Sequence, residues 1–101
     1  MSEAEYQHRV ITGLPLFQWG DVIATEEVAT SILETTIKEL VVRHTRGDFG
    51  ILDAADCEAN HKCIETGRGQ ILSAYMVGKD KIYVITDDGH LRTTVLFSHE
   101  Y

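Results

Sequence analysis

The amino-acid sequence predicts an α+β domain in which helices come first and an antiparallel β-sheet follows. Apolar residues recur at helical spacing between residues 25 and 66, and from Gln70 onward the period changes to two. The chain has 101 residues, of which 44% are hydrophobic, enough for one modest core. We therefore expect a single domain over residues 1–101, with residues 1–7 frayed and two helices, one long and one short, packed on three or four antiparallel strands.

The long helix is predicted from Thr25 to about His44. Thr25 is a suitable N-cap, and acidic residues in the first turn complement the helix dipole. Gly47 can adopt the left-handed conformation that ends a helix. One apolar stripe runs along this segment, formed by Val28, Ile32, Leu33, Ile37, Leu40 and Val41.

The short helix is predicted from Ala54 to Thr66. Asp53 is its expected N-cap and Gly67 its end. Its small residues Ala55, Ala59 and Cys63 are expected to form the buried side.

Three strands are predicted at Gln70–Val77, Lys81–Thr86 and Leu91–Phe97, because these segments are rich in β-branched and aromatic residues. Tight turns separate them, so they form an antiparallel meander. A shorter β-like stretch is expected at Arg9–Thr12, and Gly20 with Asp21 is expected to be a break between elements.

The charge of the chain is acidic and uneven. The net charge is −7, and between residues 10 and 37 the acids Asp21, Glu26, Glu27 and Glu34 occur without a single lysine or arginine. Such a balance argues against direct binding to nucleic acid and permits binding to a basic surface on another protein, although an acidic composition also serves solubility alone. No apolar run approaches the length of a membrane span, and Met1–Arg9 lacks an apolar signal segment, so we expect a cytoplasmic protein without a membrane partner.

Candidate chemistry is sparse. Cys57 and His61 share a helix face and Cys63 follows, but the sequence has no second Cys/His pair to complete a zinc site. We read Asp48, which precedes Phe49 and Gly50, as a turn residue rather than a metal ligand. We therefore predict no metal, no cofactor and no catalytic set, with both cysteines reduced.

From Arg43 onward, ordered short motifs resemble a family of small uncharacterised proteins from bacterial plasmids, phages and other mobile elements. The family motifs are R-H-x-x-G-D-W-G, S-A-Y, W-x-I-T-E, T-T-x-L and a closing E-Y. This chain carries their counterparts at Arg43-His44, Gly47–Gly50, Ser73–Tyr75, Tyr83–Thr86, Thr93–Leu96 and Glu100-Tyr101. It departs from the family at Phe49 and Tyr83, where members have Trp, and at Asp87–Arg92, where the charged turn differs. The resemblance implies a protein of a mobile genetic element.

The leading functional hypothesis is a non-enzymatic binding protein that inhibits a host nucleic-acid-handling defence complex of the anti-CRISPR or anti-restriction type. The partner-binding residues are predicted to be Asp21, Glu26, Glu27, Glu34, Asp87 and Asp88. One alternative is a small enzyme or ligand-binding module that uses a polar set, His44, Asp48, Asn60, Ser73, Tyr75 and Thr86. Another is a dimerising accessory protein, so the chain is expected to be a monomer or a homodimer.

Overall fold

The computed structural model describes residues 13–101, which form three α-helices and four β-strands. The expected frayed end at residues 1–7 and the β-like stretch at Arg9–Thr12 lie outside the described residues. The elements follow one another as β1 (Asp21–Ala24), α1 (Glu26–Ser31), α2 (Glu34–Thr45), α3 (Ala54–Thr66), β2 (Ile71–Val77), β3 (Asp80–Thr86) and β4 (Arg92–Phe97). A 3-10 turn, Ser98–Glu100, follows β4. The predicted α+β class is confirmed, the three meander strands agree with prediction to within one residue at each end, and α3 has the predicted bounds.

The four strands form one mixed sheet in the order β1-β4-β3-β2. β2, β3 and β4 pair in the antiparallel manner of the predicted meander, but β1 pairs in parallel with β4, with Asp21 opposite Arg92. The prediction of a wholly antiparallel sheet is therefore wrong. Asp21 was expected in a break, whereas it begins a strand because the start of β4 offers it a hydrogen-bonding neighbour: its N–H donates to Leu91 O at 3.1 Å.

The core lies between the sheet and the two helices α1 and α2. One face of β2, β3 and β4 is buried beneath them, since alternate residues of each strand point to the same side. The buried cluster consists of Val28, Ile32, Leu40 and Val41 from the helical side and Tyr75, Val77, Ile82, Val84, Val95 and Phe97 from the sheet.

The prediction of one long helix from Thr25 to about His44 is wrong, because two helices occupy this segment. Thr25 is the N-cap as expected, and its hydroxyl accepts from the N–H of Val28. The chain then turns extended at Ile32 and Leu33, with ψ of 136° and 141°, before α2 begins. The turn at Leu33 buries Ile32 and leaves Leu33 59% exposed, so the apolar stripe belongs to two helices at different angles.

The buried side of α3 is not the side that its small residues predict. Ala55 and Ala59 are exposed and Cys63 is half-buried, while Asn60 is buried at 4% exposure. Asn60 faces the outer edge of β2, where its side chain bonds both backbone groups of Leu72. The prediction for Ala55 and Ala59 is wrong because a hydrogen-bonded amide, not an apolar stripe, fixes the rotation of this helix.

The segment between α2 and α3 bonds the next outward-facing residue of that edge, Ala74. Ala74 donates to Phe49 O at 3.1 Å and accepts from Ile51 N–H at 2.8 Å. Gly50 lies between them with φ +73°, and a Cβ there would lie 1.9 Å from Ala74 O. Leu72 and Ala74 on the outer edge of β2 are thus bonded to other parts of the same chain, which hinders pairing of this part of the edge with another strand.

None of the helices within residues 13–101 combines the length and the apolar composition that crossing a bilayer requires.

Candidate functional site

Three of the six predicted partner-binding residues lie at one end of the sheet. Asp21 begins β1 beside the start of β4, and Asp87 follows β3, with its N–H donating to Arg92 O at 3.0 Å. Asp88 is next in the same turn, and all three residues are exposed. We call Asp21, Asp87 and Asp88 the aspartate end.

Two neighbours affect the aspartate end, one by fixing a side chain and one by its charge. Asp88 is fixed by the loop before β2, since its Oδ1 accepts from Gly69 N–H at 2.8 Å. Arg92 is exposed and stands opposite Asp21 in the strand register, so one cation lies among the three carboxylates.

The other three predicted acids lie elsewhere. Glu26 and Glu27 begin α1, beyond the opposite end of β1, and Glu34 begins α2. Glu27 contacts His99 at 2.9 Å, and Glu34 forms an exposed ion pair with Lys38 at 3.3 Å. The fold therefore divides the six predicted acids between separate places.

The alternative polar set is partly brought together, but inside the core. His44 Nδ1 lies 2.6 Å from Ser73 Oγ, and its Nε2 lies 2.8 Å from Thr86 Oγ1. Thr86 Oγ1 lies 2.7 Å from Thr93 Oγ1, which donates to Trp19 O at 2.7 Å. These four side chains are fully buried and form one continuous hydrogen-bonded line across three strands.

Burial also sets the charge of this line. Desolvation lowers the pKa of His44 from 6.5 to about 3, so the imidazole is neutral near pH 7. A neutral imidazole has one donor and one acceptor nitrogen, which matches a hydroxyl on each side. The line is therefore satisfied by uncharged groups alone.

The remaining residues of the polar set, Asp48, Tyr75 and Asn60, have structural contacts. Asp48 forms an ion pair with Arg43, from Oδ2 to Nε at 2.8 Å, and the hydroxyl of Tyr75 donates to Asp48 O at 2.6 Å. The Arg43 guanidinium lies 4.6 Å from the centroid of the Tyr75 ring. Asn60 bonds Leu72, as described above. These contacts fix the turn after α2 against β2.

An apolar groove of about 730 Å³ lies between β1, α1 and α2. Trp19, Val22 and Ile37 are among its apolar residues. Its charged residues are Glu34 and Lys38 of α2 and Arg46, which caps the end of that helix. None of His44, Asp48, Asn60, Ser73, Tyr75 and Thr86 lines it. Sequence reasoning missed this groove, since its walls come from three elements, although Ile37 and Val41 at i and i+4 were part of the predicted stripe.

No group of three or more His, Cys, Asp or Glu side chains within residues 13–101 is arranged to hold a metal ion. His61, considered with Cys57 as half a zinc site, instead packs edge-on against Phe49, with ring centroids 5.4 Å apart.

Comparisons with family models, with curated proteins and with solved structures found no match to this chain.

Proposed function

We propose that this chain is a non-enzymatic cytoplasmic binding protein from a mobile genetic element, which inhibits a host nucleic-acid-handling defence complex. Its contact surface is the aspartate end, whose carboxylates occupy a basic surface that otherwise holds nucleic acid. The observation that carries the proposal is the placement of Asp21 and Asp87 on either side of the start of β4, both exposed. Glu26, Glu27 and Glu34 lie outside the proposed contact.

Charge supports this kind of partner. The whole chain has a net charge of −7, so its field attracts a basic protein and repels nucleic acid. The protein is only modestly acidic and its proposed contact is a local group of carboxylates. It is therefore suited to filling one basic groove rather than to mimicking a long nucleic-acid duplex. The burial of the His44 line supports a non-enzymatic reading, because His44, Ser73, Thr86 and Thr93 expose no surface that a substrate could contact.

The test pairs two variants with the same change of charge. Asp21→Asn with Asp87→Asn removes two carboxylates from the aspartate end, while Glu58→Gln with Glu65→Gln removes two exposed carboxylates from α3. Asp88 is left unchanged because it also holds Gly69. Each protein is used to capture nucleases and effector complexes from host cells, and each is added to cleavage assays with the captured enzyme.

We expect the unaltered chain and the α3 variant to bind at low salt and to inhibit cleavage, and the Asp21/Asp87 variant to lose both properties. High salt should weaken binding, because exposed charges are screened. Arg92→Gln should tighten binding by removing the cation within the contact. Equal loss in both double variants, or no inhibition by the unaltered chain, overturns the proposal.

The groove supports a second candidate function, the binding of an apolar small molecule that carries one anionic group. Its volume of about 730 Å³ lies within the range of ligand pockets. Two cationic side chains, Lys38 and Arg46, line it against one acid, Glu34, which pairs with Lys38. This candidate is a form of the ligand-binding alternative, placed in the groove rather than at the polar set.

Trp19 is a built-in reporter for this second candidate, since it is the single tryptophan of the chain and lines the groove. A fluorescent fatty acid is the probe. We expect it to change Trp19 emission in the unaltered chain, and Val42→Glu, which places an acid in the groove wall, to abolish the effect. Met76→Glu, on the far edge of the sheet, is the control. Saturable binding that is insensitive to Val42→Glu contradicts the assignment.

A further inference from the structure

The turn between β3 and β4 contains the only aspartate–glycine pair of the sequence, Asp88 and Gly89. Both residues are exposed. A glycine has no side chain to shield its backbone nitrogen, and this nitrogen can attack the carboxyl group of the preceding aspartate to close a five-membered ring. Because both reacting groups belong to adjacent residues, the reaction is intramolecular and needs no second molecule to bring them together.

The backbone nitrogen of Gly89 is available for this reaction. The hydrogen bonds of the turn run from Asp87 N–H to Arg92 O at 3.0 Å and from His90 N–H to Asp87 O at 2.9 Å. Gly89 N–H donates to no group within residues 13–101. Gly89 has φ +98°, and a Cβ there would meet no atom within 4 Å. The peptide group between Asp88 and Gly89 can therefore rotate toward the carboxyl group without displacing a neighbour.

The carboxyl group of Asp88 is held by a fixed hydrogen-bond donor. Its Oδ1 accepts from Gly69 N–H at 2.8 Å. When a nitrogen adds to a carboxyl carbon, negative charge develops on the carboxyl oxygen, and a preorganised backbone N–H stabilises such charge. The fold thus supplies an exposed nucleophile on one side of the Asp88 carboxyl carbon and a polarising donor at one of its oxygens.

We propose that Asp88 is a self-modification site, at which the folded chain converts the Asp88–Gly89 linkage to an isoaspartyl linkage. The Gly89 nitrogen loses its proton and forms a bond to Asp88 Cγ, and the carboxyl hydroxyl leaves, so one water is released and a succinimide ring forms. Water then adds to the carbonyl carbon of the original peptide bond and breaks its bond to nitrogen. The main chain now runs through Cβ and Cγ of residue 88, and the carboxylate is attached to Cα.

The modification changes the geometry of the aspartate end and conserves its number of carboxylates. One methylene is added to the main chain of the turn, and the side-chain oxygen that accepts from Gly69 N–H becomes part of the backbone linkage. Asp87, next to the altered residue, is displaced with it. The chemistry depends on the turn and on water alone, so it stands or fails independently of the proposed contact with a basic partner.

Peptide mapping after prolonged incubation tests the proposal. The unaltered chain and a synthetic peptide of residues 82–92 are kept side by side for several weeks in mildly acidic buffer at body temperature. Trypsin cleaves after Lys81 and Arg92 and so releases the same segment from the folded chain. Chromatography separates the isoaspartyl peptide, which has the same mass as the aspartyl peptide, and electron-transfer fragmentation assigns the modified residue.

We expect isoaspartate to accumulate at residue 88 of the folded chain at least as fast as in the peptide, with a minor species lighter by one water. Asp87 is the internal control, since it is also exposed but is followed by an aspartate rather than a glycine, and it should stay unchanged. Equal conversion at Asp87 overturns the assignment. Slower conversion in the folded chain than in the peptide also overturns it, because the bond to Gly69 would then hold the carboxyl group away from the nitrogen.

Two variants test the ring closure itself. Asp88→Glu keeps the carboxylate but requires a six-membered ring, and Gly89→Ala shields the nitrogen with a methyl group in open space. We expect both variants to lose the isomerised product at residue 88, and thermal unfolding checks that both remain folded. Product in either folded variant at the rate of the unaltered chain contradicts attack by the Gly89 nitrogen.

Discussion

Asn60 holds Leu72 by both of its backbone groups. The amide Nδ2 donates to Leu72 O at 2.6 Å, and Leu72 N–H donates to Asn60 Oδ1 at 3.1 Å. One side chain thus replaces a neighbouring strand at this position and anchors α3 to the sheet. It also explains why a polar residue, rather than an alanine, is the buried member of α3.

Asn60→Ala should lower the free energy of unfolding by about 1–3 kcal/mol, because it leaves a part-buried donor and acceptor without their partners. The exposed edge of β2 should also increase aggregation. Glu58→Ala, on the exposed side of the same helix, should change the free energy by less than about 0.5 kcal/mol. Urea unfolding and light scattering measure the two effects. Similar results for both variants would show that the amide does not hold the edge.

The buried imidazole of His44 makes stability depend on pH. Its folded pKa is lowered to about 3 from 6.5, so the unfolded chain binds a proton that the folded chain does not. The contribution is fully present above pH 6.5 and is lost as the pH falls toward 3. Each pKa unit corresponds to about 1.4 kcal/mol, so the full loss is on the order of 5 kcal/mol.

His44→Asn should be less stable than the unaltered chain at pH 7, and its stability should fall less between pH 6.5 and pH 4. The difference between the two proteins isolates the imidazole from carboxylates that also titrate in acid. Urea unfolding at successive pH values provides the measurement. Parallel pH profiles would mean that the pKa of His44 is the same in the folded and unfolded chains.

Thr86→Val should cost about 1–3 kcal/mol, because the hydroxyl contacts both His44 and Thr93 within the core. Adding Thr93→Val should cost less than the sum of the single changes, since both remove the same contact. Thr94→Val, on the opposite face of β4, is the control. Additive losses would show that the hydroxyl line acts as independent pairs.

Two glycines are required by close approach. A Cβ at Gly20 would lie 2.1 Å from Leu91 C, and one at Gly50 would lie 1.9 Å from Ala74 O. Gly89 also has positive φ, +98°, but its Cβ would meet nothing within 4 Å. Gly89→Ala should therefore cost only about 1 kcal/mol of backbone strain.

Gly20→Ala and Gly50→Ala should each cost clearly more than Gly89→Ala in thermal or urea unfolding. The additional loss of stability relative to Gly89→Ala measures the cost of displacing the backbone at Leu91 or Ala74. If all three substitutions cost the same, positive φ alone accounts for the glycines, and the strand spacing at Leu91 and Ala74 is not tight.

Local patterns were sufficient for much of this fold. α3 was predicted from its caps Asp53 and Gly67, and the meander was predicted from alternation and turn residues, because these signals lie within a few neighbouring residues. β1 was missed because four residues carry little periodicity and its partner, β4, lies about seventy residues away in sequence. The break at Leu33 was missed because no glycine or proline marks it.

The candidate site was less accessible to sequence reasoning. The sequence predicts that His44, Ser73 and Thr86 belong to one polar set. Their burial, however, depends on how α2 packs over three strands. That packing decides whether their side chains face a ligand or one another. The aspartate end depends on the parallel pairing of β1, which places Asp21 near Asp87. The role of Asn60 depends on the rotation of α3, which its weakly apolar sequence does not determine.

The hydrogen bonds that already engage part of the β2 edge also affect any assembly built by strand pairing. A sheet with two exposed edges can add copies without end, which is the route to fibres. Within the described residues, Leu72 and Ala74 of β2 already have hydrogen-bonding partners, so an added strand would find open backbone groups on this edge only near Met76. Asn60 and the segment around Gly50 thus hinder strand addition at β2, and their loss should open this edge to pairing with other chains.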